Sequence, residues 1–149
     1  MAIRTIRKNE DPILRKKCRQ VENIDEKILS LLDDMVETMY ATDNGAGLAA
    51  PQVGILKRAV VYDMGQGLVE LINPEIIEAG GLQLVTEGCL SLPGKWGRLE
   101  RPKWVRVKAL NRAGQIFEIE ACGETAKCLC HEIDHLDGKL FTDKVIEYL

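Results

Sequence analysis

The stretch CHEIDHLDG, residues 130–138, holds His131 and His135, the only histidines in the chain. Four residues apart on a helix, they share one face and can offer two ring nitrogens to one divalent ion. Glu132, beside the first, is then placed to act as general base on a metal-activated water, the logic of H-E-x-x-H hydrolases. The pattern alone also suits two surface histidines on a helix, and two imidazoles hold a metal loosely. The third ligand therefore decides the reading.

No histidine remains to supply it. Few residues follow His135, and Asp143, Glu147 and the terminal carboxylate are the acids among the last of them. There is little room to build a second ligand-bearing helix, which favours an upstream ligand, with thiolate a strong candidate. Among the five cysteines, Cys130 adjoins His131 and points off the histidine face. Cys128 shares that face but lies about 10 Å along the axis from His135, at roughly 1.5 Å per residue. Cys18 and Cys122 have no supporting context. Cys89 sits in TEGCLSLPG, a loop-like stretch closing a β-like run. A lone cysteine is ordinarily a small buried hydrophobe, but here the site needs a ligand and Cys89 is the best placed.

The elements that must present these groups are partly legible. In DEKILSLLDDMVETMY, Ile28, Leu31, Leu32, Met35, Val36 and Met39 form one apolar stripe, predicting a helix capped by Asp25 and stopped at Asn44-Gly45. Asp11-Pro12 marks a turn. The glycines and proline of GAGLAAPQVG disfavour a regular element. Short β-like runs follow at 58–64, 67–72, 81–85, 104–110 and 115–121, the last two joined by a hairpin turn at 111–114. Residues 124–136 predict a second helix, with Gly138 as its stop. A helix, several strands and a helix argue for an α+β fold.

At 149 residues the chain is expected to form one domain, residues 1–149, able to bury a core without disulfides. A net charge of −3 gives no general affinity for nucleic acid or anionic membrane. No apolar run reaches signal-peptide or membrane-spanning length. An odd number of cysteines argues against a disulfide framework. Together these predict a cytoplasmic chain without a nucleic-acid or membrane role.

GAGLAAPQVG, EGCLSLPG and HEIDHLDG, in this order, closely resemble the three signature segments of peptide deformylases; DPILRKKC and KLFTDK also fit, so the likeness covers essentially the whole chain. The resemblance implies antiparallel strands around a central metal-bearing helix. It implies an enzyme that removes the formyl group from N-formylmethionyl nascent peptides. It implies a metal on Cys89, His131 and His135, usually ferrous iron, replaceable by zinc, nickel or cobalt. Glu132 matches the catalytic glutamate, Gln52 a side-chain donor to the formyl oxygen, and the Leu90 backbone N–H a second donor. Gly45, Ala46 and Gly47 match the edge that receives substrate backbone. Val85, Leu90, Cys128 and His131 are expected to wall the methionine pocket, with Glu87 nearby and paired to a cation such as an arginine.

Asp134 is placed either to accept from a ligand histidine or to stand as a solvated helix residue. The chain departs from the resemblance at Cys130, where relatives usually have glutamine, and in GKWGRLERP, which puts Trp96 and Arg98 at the mouth. Glu124 and Lys127 are placed to pair at i, i+3. Some members dock on the ribosome through a basic C-terminal helix; here VIEYL follows soon after Phe141, so ribosome association is expected to be transient at most. Two other readings share the motif, an internal-cleaving metallopeptidase and a non-catalytic metal-binding module. The lack of a downstream ligand argues against the first, and Glu132, which a binding site does not need, against the second.

Overall fold

The computed structural model describes residues 2–43 and 45–149. Its centre is explained by the run Ala59–Tyr62, strand β2, in which all four residues are buried. Alternate side chains of a strand point to opposite faces, so burial on both faces means that layers cover both. Ala59 and Val61 join one core cluster with Ile28, Leu31, Leu32, Met35 and Met39. Val60 and Tyr62 join another with Ala126, Leu129, Ile133 and Leu136. The first cluster is the predicted stripe of helix α1, Glu26–Tyr40, whose N-cap Asp25 accepts from Ile28 N at 3.0 Å. The second is the inner face of helix α2, Gly123–Leu136. Asn44, expected with Gly45 to stop α1, lies outside the described residues; the helix itself ends at Tyr40.

The sheet between the helices has the order β1-β2-β3-β6-β7, antiparallel throughout. Its other strands are β1 (Gly47–Ala49), β3 (Val69–Gly80), β6 (Trp104–Leu110) and β7 (Ile116–Cys122). The predicted hairpin joins β6 to β7, with Gly114 at φ 78° in its turn. A second sheet, β4-β5-β8, is formed by Gln83–Cys89, Leu92–Arg101 and Glu147–Tyr148. Its inner side chains Val85 and Leu99 pack with Leu14, Leu92, Leu140 and Phe141. The fold is thus α+β, with antiparallel strands around α2, as the sequence implied.

The strands depart from the sequence reading where glycine and proline fall. β1 lies inside GAGLAAPQVG, and β5 runs through Pro93, Gly94 and Gly97. Pro93 and Gly94 signal a break, yet the short β8 pairs only with Gly97 and Arg98, so on that side the ladder asks nothing of the proline nitrogen. β3 continues past Pro74 to Gly80 by an irregularity between Ile72 and Glu75. There Asn73 takes φ 52°, and its amide pairs with both the N–H and the C=O of Val21, at 2.8 and 2.9 Å. The Asp11-Pro12 turn proves to be a short 3₁₀ helix, Pro12–Arg15, capped by Asp11. No helix of the described residues is long and apolar enough to cross a membrane.

Candidate metal centre

Helix α2 presents His131 and His135 on one face, with ring centroids 5.0 Å apart. The β4–β5 hairpin brings Cys89 to that face, its Sγ 3.3 Å from His135 Nε2. Cys89, His131 and His135 each offer a donor atom within 4.8 Å of the other two. A soft thiolate and two imidazoles make a donor set suited to zinc or ferrous iron, with room for a further ligand. The polar environment fits the same role. Burial holds His135 well below the usual imidazole range, hence neutral. Its Nδ1 and Glu132 Oε1 are buried without a hydrogen-bond partner.

His131 is oriented by Glu87, whose Oε1 lies 2.7 Å from Nδ1, leaving the other ring nitrogen for the site. Glu87 also takes a two-pronged contact from Arg101, at 2.7 and 2.9 Å, with both side chains 2% exposed. Burial would push the Glu87 carboxyl up, but the hydrogen bonds from Arg101 and His131 outweigh it and hold it at about 2. Both oxygens of Glu87 are engaged, Oε1 by His131 and Arg101 and Oε2 by Arg101, although the residue also borders the cavity beside the three donors. Arg101 in turn reaches Asp134 at 2.7 Å, and Lys144 lies 3.1 Å from the same Asp134 oxygen. Asp134 therefore does not serve a histidine; Glu87 reaches His131 first, from the neighbouring strand.

Beside the three donors opens a cavity of about 500 Å³. Gln52, Glu132, Leu90, Cys128, Gly45, Ala46, Gly47 and Glu87 line it. Val85 does not; it turns into the core beneath the second sheet, with Leu99 and Phe141. Burial pushes the Glu132 carboxyl up to about 7. Gln52 is fixed at both ends: Oε1 accepts from Ala49 N at 3.0 Å, while Nε2 donates to Ser91 Oγ at 3.2 Å and approaches Cys89 Sγ at 3.7 Å. That anchoring turns the amide N–H groups toward the donors. Gly47 must be small: a Cβ there would sit 2.9 Å from Glu132 Oε2 and 3.0 Å from Cys128 Sγ.

The other cysteines stay apart from the donor set. Cys128 borders the cavity and burial raises its thiol pKa; Cys130 is buried in the core cluster beneath α2, its thiol pushed up to about 11. Trp96 lines the mouth, half exposed, with its ring over Gly88. Arg98 pairs instead with Glu147 at 3.4 Å. Glu124 and Lys127 form the predicted pair. Arg101 and Ser91 escape the sequence reading. With β5 recognised, strand alternation would have put Arg101 inward with Leu99.

A cysteine and two histidines beside a buried glutamate, bordering a cleft, define a metal-dependent hydrolase. The chain matches the family model for polypeptide deformylase over residues 3–148 and belongs to that family, whose members remove the N-terminal formyl group from nascent polypeptides. It is 60% identical over 147 residues to a peptide deformylase of Alkaliphilus metalliredigens, with 99% of each chain covered. To one of Acetivibrio thermocellus it is 60% identical over 149 residues, covering 100% of this chain and 87% of the relative. The crystal structure of peptide deformylase from Thermotoga maritima superposes with a TM-score of 0.94 at 43% identity, covering 97% and 99% of the two chains. A peptide deformylase from Synechococcus elongatus in complex with actinonin gives 0.90 at 42%, covering 94% and 77%.

Proposed function

We propose that this chain hydrolyses the formyl group of N-formylmethionyl peptides, with Cys89, His131 and His135 holding the metal, ferrous iron in the cell, and Glu132 moving the proton. The observation that carries the reading is the convergence of those three donors beside a buried, unpartnered Glu132 oxygen. When bound, the cation supplies Lewis acidity, acidifying a water and polarising the formyl oxygen.

The chain's own residues do the rest. Glu132 takes the attacking water's proton at its carboxylate and passes it to the departing amine nitrogen. Gln52 Nε2 and the Leu90 backbone N–H donate to the oxygen of the formyl carbon as its charge develops; losing one such donor typically costs about 10²–10³ in rate. Glu87, locked by Arg101, keeps His131 turned toward the metal. Gly45, Ala46 and Gly47 let the substrate backbone approach and pair as an added strand. Leu90 and Cys128 give the methionine side chain an apolar wall. The setting is the cytoplasm, with nascent chains as partners and only transient contact with the ribosome.

The test offers metal-loaded enzyme formyl-Met-Ala-Ser beside an internally cleavable peptide. Formate release without backbone scission is expected, and Glu132→Gln should lower turnover by roughly 10²–10⁴ while retaining metal. Scission of the second peptide, or full turnover by Glu132→Gln, would overturn the reading.

A further inference from the structure

The chain is acidic overall, at −3, yet the mouth of its cleft is not. Three lysines line the cavity: Lys8, Lys95 and Lys127. Lys127 is neutralised by Glu124 and further tied to the Thr86 carbonyl at 3.2 Å. The other lining carboxylates are Glu87, engaged by Arg101, and Glu132, buried at the catalytic end. Lys8 and Lys95 make no ion pair among the described residues. Beyond Lys95, Asp11 is paired to Arg7, and Arg15 to Asp143. Glu10 borders the adjoining cavity with Lys95 without pairing to it.

Lys8 is carried there by a fixed piece of backbone. Arg7 N donates to the Gln52 carbonyl and Asn9 N to the Ser91 carbonyl, both at 2.7 Å. The two bonds hold the segment against Gln52 and against Ser91, the residue after Leu90, and Lys8 lies between them. Lys95 follows Gly94, whose φ of 80° turns β5 at the rim. Both lysines are exposed at the open end.

The chemistry fixes the direction of a bound peptide. Its formyl end must reach Glu132, so the residues after methionine leave through this mouth. Three residues of extended chain span roughly 10 Å, so the second and third side chains are the ones that leave the catalytic end along the stretch lined by Lys8 and Lys95. We infer that Lys8 and Lys95 are specificity residues, favouring nascent chains with Asp or Glu just after the formylmethionine. This rests on the deformylase reading.

The experiment measures formate release from three C-terminally amidated peptides, formyl-Met-Ala-Ser, formyl-Met-Glu-Glu and formyl-Met-Lys-Lys, with metal-loaded full chain. At low ionic strength the acidic peptide should exceed the basic one in kcat/KM by roughly tenfold, mainly through KM. In about 1 M salt, where the screening length is about 3 Å, the ratio should fall toward one. The double variant Lys8→Gln/Lys95→Gln should lose the preference at low salt, while Lys108→Gln, on β6, keeps it. Equal treatment of the charged peptides by the native chain, preference for the basic one, or an undiminished ratio in the double variant overturns the inference. The neutral peptide separates the two claims: if it too releases no formate, the deformylase reading fails and this inference with it.

Discussion

Cys89 sits 46 residues from His135 in sequence and 3.3 Å from it in space. The sequence singles it out because Cys128 and Cys130 fail on helix geometry, Cys18 and Cys122 lack supporting context, and a loop can face a helix. That choice makes a ranked prediction. Cys89→Ala should lose bound metal and activity together, while Cys128→Ala and Cys130→Ser keep most of both, as metal analysis and formate release would register. Metal retained by Cys89→Ala and lost by Cys128→Ala would reverse the ligand assignment. The supporting polar groups are less legible. Asp134 can be read as the histidine's partner because it stands next to His135, but helix neighbours need not meet, and the carboxylate that reaches His131 comes from β4. Val85 departs from expectation for a related reason: its motif position is readable, whereas the face of β4 it occupies depends on a partner strand that the sequence hides.

At the scale of the elements, both helices are legible, α1 because a 3.6-residue stripe survives in the sequence whatever it packs against, α2 because Gly138 marks its stop. β1, β5 and the far half of β3 are not, because their glycines and prolines read as breaks while serving as close contacts and bulges. β1 shows the cost of any other choice. Gly47→Ala would push a methyl into Glu132 and Cys128 where strand and helix touch. Overpacking of this kind destabilises by about 1–3 kcal/mol, and a shift of the base near 1 Å can cost on the order of 10²-fold in rate. The expected result is a folded protein with far weaker formate release; a variant with native kcat/KM would show that β1 can give way without disturbing Glu132.

At the scale of the molecule, the second sheet is joined to α2 through the site by the buried ion pair of Glu87 on β4 and Arg101 on β5, which reaches Asp134 on the helix. Removing one partner of a buried pair costs about 3–5 kcal/mol, so Glu87→Gln should lower the unfolding free energy of chelator-treated protein by that order at neutral pH. The sign with pH follows from a carboxyl held at about 2 when folded and near 4.3 when unfolded. Its contribution is present above about 4.3 and is lost as pH falls toward 2. The gap between native and variant protein in urea unfolding should therefore close on acidification; a gap that widens would contradict the pairing.

The amino-terminal segment binds α1 through Ala2 N to Asp34 and Arg4 N to Thr38, then Gln52 and Ser91 through Arg7 and Asn9. It laces the first helix to Gln52 and Ser91, two residues joined by a hydrogen bond beside Cys89. Shortening the segment, or loading it with a bulky purification handle, would slacken Gln52 and the turn beside Cys89 without touching a single metal donor.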